Sequence, residues 1–173
     1  MNEDPKDTHR QRQLYWNELT ALKGAACYMS RYRDRLGRWV VALGMLKAIA
    51  SCGSIAAWAI WKEYSFLWGL IIALSQVADA LRDVFPFAKK QKAASDYASA
   101  LNSLFIDAQL EWDVICANSR TPAEMMNHLH SLRKLQLEAE RQSFPSGVAA
   151  DESLRLVAKQ DAENYLKSTY GVS

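Results

Sequence analysis

Lys47, Gln76 and Asp79 are the polar residues most in need of a reason, because each interrupts an apolar stretch: Lys47 alone in Trp39 to Trp61, Gln76 and Asp79 in Tyr64 to Leu81. A charge at mid-membrane costs about 2.5 to 3.5 kcal/mol on insertion scales, so such residues mark an ion path or a partner charge. Counted back from the turn at Lys62-Glu63, Lys47 and Asp79 both lie roughly 22 to 25 Å along their helices, at one depth. Ser65, Gly69, Ile72, Gln76, Asp79 and Asp83 step by three or four, which puts small and polar groups on one helical stripe. Such a stripe faces protein or water. Gly44, Lys47, Ser51 and Ser54 form its counterpart on the first stretch, with Gly53 and Ala57 spaced for close helix contact. The chemistry available is ion conduction: Gln76 and Asp79 lining a lumen with Gly69, Asp83 and Lys47, and Ile72 as a ring that gates by dewetting. The plainer reading has equal standing. In it Lys47 snorkels to phosphates, Asp79 pairs with Arg82 or Lys47, and the small residues only let helices pack.

Arg31, Arg33, Arg35 and Arg38 form a second cluster just before the first stretch, with Tyr28 and Tyr32 interleaved. Placed beside a membrane they most simply contact anionic headgroups, the favoured reading; charge and stacking could also hold a nucleotide or oligonucleotide. Nothing points to duplex nucleic acid. No GxxxxGK, GxGxxG or GxSxG occurs, and His9, His128 and His130 lack a partner set with ligand spacing, so no catalytic residue, metal or cofactor is expected. His128 and His130 diverge on a helix. Glu124 and His128, four apart, could meet as a surface pair rather than as metal ligands. Cys27, Cys52 and Cys116 are an odd, scattered set that reads as structural free thiols, not a disulfide framework or a zinc site.

The elements that must position these residues are helices. A helix rising ~1.5 Å per residue needs ~20 mostly apolar residues to cross a core of ~30 Å, which the first stretch meets and the second nearly meets. Lys62-Glu63 is too short a linker to hold a domain, so the pair reads as an antiparallel transmembrane hairpin. Trp39 at one edge and Trp58, Trp61 and Tyr64 at the turn suit aromatic rings among headgroups. The mean hydropathy of -0.20 averages this apolar middle with charged flanks. The net charge of +2 over 173 residues says little, but its placement is informative. Arg31 to Arg38 precede the hairpin and Arg82, Lys89, Lys90 and Lys92 follow it, so the positive-inside rule puts both termini in the cytoplasm. Met1 to Pro5 carries no basic start to a cleavable signal, which leaves the first span as its own insertion signal.

Outside the hairpin, Asp7 or Thr8 caps a helix with apolar positions Tyr15, Leu19, Leu22, Ala26, Met29, Tyr32 and Leu36. It can continue into the first span, although Gly37 permits a bend. After Phe85-Pro86-Phe87 the period resumes at Ala93, Tyr97, Leu101, Leu104, Ala108, Trp112 and Ile115. Ala117 to Ser119 breaks it, and Thr121-Pro122-Ala123-Glu124 supplies a cap, a proline at the first helical position and a capping-box glutamate. Met125, Leu129, Leu132, Leu135 and Ala139 form the next apolar face, ended by Phe144 to Gly147. A last helix runs from about Asp151 through Leu154, Val157 and Tyr165, with Gly171 suited to a left-handed end.

The fold class expected is thus an all-α membrane protein: an N-terminal amphipathic helix (1–38), a two-helix transmembrane hairpin (39–84) and a C-terminal cytoplasmic helical bundle (85–173) that drives homo-oligomer formation, a tetramer by analogy with small channels. With Tyr28-Met29-Ser30-Arg31-Tyr32, Ala57-Trp58-Ala59-Ile60-Trp61, Phe85-Pro86-Phe87 and the long helix carrying Trp112, the pattern resembles the SLATT effectors, two-transmembrane proteins of bacterial antiphage defence. The resemblance implies an oligomeric pore in the bacterial inner membrane, gated by a nucleotide second messenger from a nucleotidyltransferase and depolarising when open. It carries no ligand-binding residue across, because no defining motif maps. Two alternatives stay open: a non-conducting membrane anchor whose helices recruit a cytoplasmic partner, and a fully soluble helical bundle whose apolar hairpin is buried in an oligomer.

Overall fold

The computed structural model describes residues 5–53, 66, 69–70, 73–77, 80, 86–148 and 150–171. Among them the chain is all-α, with four long helices: α1 (Pro5–Gly53), α2 (Phe87–Cys116), α3 (Pro122–Ser143) and α4 (Glu152–Tyr170). Positions 66, 69–70, 73–77 and 80 are also helical. Two compact units result, Met1–Tyr32 with Ala93–Ser173, and Arg33–Lys92. The N-terminal helix and the C-terminal region, separate segments on hydropathy alone, therefore share one unit.

That first unit is an up-down-up-down four-helix bundle, an order readable from its long-range contacts. Arg12 of α1 reaches Asn118 at the end of α2, while Tyr15 meets the Ala108 carbonyl and His128 of α3. Farther along α1, Glu18 pairs with Arg133 and Arg31 with Asp161. Helix α1 thus runs parallel to α3 and antiparallel to α2 and α4. The reason is the stripe on α1: Tyr15, Leu19, Leu22, Ala26 and Met29 are all buried, and three further helices are needed to cover it. Helix α2 contributes Ala94, Tyr97, Ala98, Leu101, Leu104, Phe105, Ala108 and Ile115; α3 adds Met125, Leu129 and Leu132.

Local chemistry bounds α2, α3 and α4 where the sequence places an end. Thr121 accepts from the Glu124 amide while the Glu124 carboxylate accepts from the Thr121 amide, a complete capping box ahead of Pro122. Asn118 takes a positive φ of 58° in the turn after α2. Asp151 caps α4 by accepting from the Leu154 amide, and Gly171 closes it at φ 65°.

Several expectations need correction. Helix α1 is already helical at Pro5, so Asp7 lies in its first turn instead of capping it; its continuation through Gly37 is a course the sequence allowed. Leu135 is exposed although it continues the α3 face. On α4 the buried face is Ala158, Ala162 and Leu166, while Val157 is exposed. Cys27 is half-buried and Cys116 exposed, both free; the Cys52 side chain lies outside the described residues.

The second unit has a different surface. Leu36 is buried in it, yet Trp39, Val41, Met45, Phe66, Leu70, Leu74 and Val77 are all exposed, Phe66 by 84%. Among the described residues no helix is long and apolar enough to cross a membrane. Much of the hairpin expected over 39–84, including its aromatic turn and Asp79 with Arg82, falls outside the described residues.

Candidate functional site

The arginine series of α1 divides between the two units. Arg31 belongs to the bundle, where Nη2 donates to Asp161 Oδ1 at 2.9 Å and Nε donates to Oδ2. That hydrogen bond holds the Asp161 carboxyl below the usual carboxylate range. The interleaved tyrosines are engaged nearby: Tyr28 and Tyr32 stack with centroids 6.3 Å apart, and Tyr32 meets Phe144 edge-on at 6.5 Å. The Tyr28 hydroxyl also accepts from the Asp151 amide at 3.1 Å. These rings brace the loop before α4.

Arg33, Arg35 and Arg38 belong to the second unit. Arg33 donates from Nε and Nη2 to Asp34 Oδ1, at 2.9 and 2.8 Å. Arg35 and Arg38 are exposed. One turn of helix farther on, the surface becomes apolar. Arg33, Asp34, Gly37, Arg38, Val41, Ala42, Met45 and Gln91 line a groove of about 460 Å³, polar at one end and apolar at the other. Gly37 matters to its shape: a Cβ there would lie 2.9 Å from the Gln91 amide nitrogen, so the absent side chain admits that amide.

Of the residues expected to line a pore, Lys47, Gly69 and Gln76 are exposed. Nothing crowds a Cβ position at Gly69. Ile72, Asp79 and Asp83 lie outside the described residues.

Three arrangements in the bundle escape a reading by spacing. The Tyr15 hydroxyl donates to the Ala108 carbonyl at 3.2 Å and sits 2.9 Å from His128 Nδ1. Burial, reinforced by Glu111 and Asp107, raises its pKa well above the ordinary phenol range. His128 is therefore engaged with Tyr15 and Glu124 with its cap, so the surface pair their spacing allowed does not form. Lys23 stacks between Phe105 and Tyr165, with Nζ 4.7 and 3.6 Å from the two centroids. A cleft of about 780 Å³ opens between α1 and α4 over Ala21, Gly24, Ala158 and Ala162, with Arg155, Lys159, Glu140 and Glu163 among its charged lining. Among the described residues no group of His, Cys, Asp or Glu could hold a metal ion.

Compared with protein families, curated proteins and solved structures, the chain matches none.

Proposed function

We propose that this chain is a homo-oligomeric membrane pore of the SLATT effector type, with residues 39–84 as a transmembrane hairpin in the bacterial inner membrane. Its bundle is then the cytoplasmic part, through which a nucleotide second messenger controls opening. One observation carries the membrane placement. Trp39 and Val41 are each 55% exposed, yet two residues on a helix point roughly 200° apart. A water-facing helix shows one apolar stripe and one polar face. Apolar side chains exposed on opposite sides of α1, with Met45 beyond them, suit a helix surrounded by hydrocarbon.

The pore assignment adds the polar stripe, of which Gln76 and Gly69 are exposed, and the cost of leaving Asp79 in lipid. The test is ion flux from liposomes loaded with the full chain. Flux that rises on Ile72→Ser supports the pore, whereas Ile72→Ser chain that inserts with both termini on one side and still passes no ions refutes it.

The second reading, a non-conducting anchor that recruits a partner, draws on Leu110 and Leu135. Both remain exposed beside the half-buried His128, along a shallow groove between α2 and α3. It expects stable complexes without flux.

A further inference from the structure

Resting on that membrane reading, we infer that the groove on α1 beside Gln91 is a binding site for one anionic phospholipid, its phosphate at Arg38 and an acyl chain along Val41 and Met45. The order of side chains along the helix carries this. Arg33 and Arg38 are followed by Trp39, then by exposed Val41 and Met45. Arg38 to Met45 is a climb of roughly 10 Å at the helical rise, the passage from headgroup to hydrocarbon. The groove holds the charged end and the apolar end in one concavity.

Its charges also select the headgroup. Both donors of Arg33 converge on Asp34, so that guanidinium is largely neutralised. Arg38 makes no ion pair among the described residues, which leaves its planar fork for two phosphate oxygens. The Gln91 amide, admitted by Gly37, supplies a neutral donor beside it. Asp34 lines the same groove and offsets Arg33. The one net positive charge that remains, on Arg38, fits a singly charged phosphodiester better than a polyphosphorylated headgroup. A free phosphate gains only an exposed cation, whereas a chain-bearing one also covers Val41 and Met45.

Native mass spectrometry of the full chain in neutral detergent, offered equal phosphatidylglycerol and phosphatidylethanolamine, tests the assignment. The parent should retain the anionic lipid over the zwitterionic one by about fivefold, the factor one arginine near a surface supplies. Arg38→Gln should bring the two close to equality, and Asp34→Asn should raise the anionic preference. Loss of fold alone would not raise it. Glycerol phosphate in excess should leave the lipid bound. Equal retention by the parent, an unchanged ratio in Arg38→Gln, or displacement by glycerol phosphate would each overturn the lipid site. Chain that never partitions into vesicles would instead sink the membrane reading beneath it.

Discussion

Arg31 on α1 and Asp161 on α4, 130 residues apart, meet as a guanidinium fork on a carboxylate, with one of its two bonds at 2.9 Å. The pairing takes the first arginine of the series 31–38 into the bundle and leaves the other three to the second unit. It also links the fold to pH. Because the Asp161 carboxyl is held below its ordinary range, its contribution is present above the unfolded value of about 3.9 and lost as pH falls through the folded value. The two side chains are 44% and 37% exposed, so solvent limits the gain to about 1 kcal/mol at most. Asp161→Asn should lower the thermal midpoint by no more than about 2 to 4 °C at pH 7. The deficit should shrink once the pH falls below the unfolded value of about 3.9 and vanish below the folded one. Melting curves from pH 7 to 3 check this, and a deficit constant over that span would remove the ion pair as its cause.

Tyr15 gives the opposite sign. Its buried phenol is raised above the ordinary value, so the stability it supplies is complete below the unfolded value of about 10 and drains as pH rises beyond that. Tyr15→Phe keeps the ring between Trp112 and His128 but removes the hydroxyl. About 1 kcal/mol should be lost at pH 7. Urea unfolding at pH 8 and 10.5 should then show a smaller alkaline decline in the variant than in the parent; equal declines would mean that another group drives it.

What was legible in the sequence follows from the range of each interaction. The Thr121 capping box, the turn at Asn118 and the Gly171 end involve neighbours within a few residues, and all three can be read from residue type. The stripe from Tyr15 to Met29 is legible because its period matches the helix. The face of α4 is not, because hydrophobicity favours Val157, whereas burial falls on Ala158 and Ala162. Small side chains occupy the interior there, and no periodicity of large residues reveals them. The partners of Arg31 and His128 were hidden for another reason: each lies more than a hundred residues away. The arginine groove was half-visible. Its charges stand in the sequence, but Gln91, whose amide packs over Gly37, comes from a helix far along the chain.

The α4 assignment leads to a paired comparison. Leu101 is fully buried and Val157 is 44% exposed, so Leu101→Ala should cost about 2 to 5 kcal/mol through lost burial and the cavity left behind. Val157→Ala, on the solvent side of α4, should fall within about 0.5 kcal/mol of the parent. Chemical denaturation of both variants separates them. A large loss at Val157 would place that side chain in an interface between copies.

Lys47 and Asp79 allow the most direct test of the proposed conduction. Lys47 is exposed on α1, and on the proposed hairpin Asp79 would share its depth. In an oligomer each becomes a ring, and like charges in a low-dielectric wall set the local potential strongly. A carboxylate ring favours cations. Asp79→Asn should therefore shift the reversal potential under a salt gradient towards anions, and Lys47→Met should shift it towards cations. The opposed directions matter, because a general loss of packing would move both variants alike or abolish current. Planar-bilayer recordings of the two variants and the parent measure this at one protein concentration and one lipid composition. Reversal potentials that coincide in all three, with expression unchanged, would assign Lys47 to snorkelling and Asp79 to helix packing, and would leave Gln76 as the remaining polar candidate for the lumen.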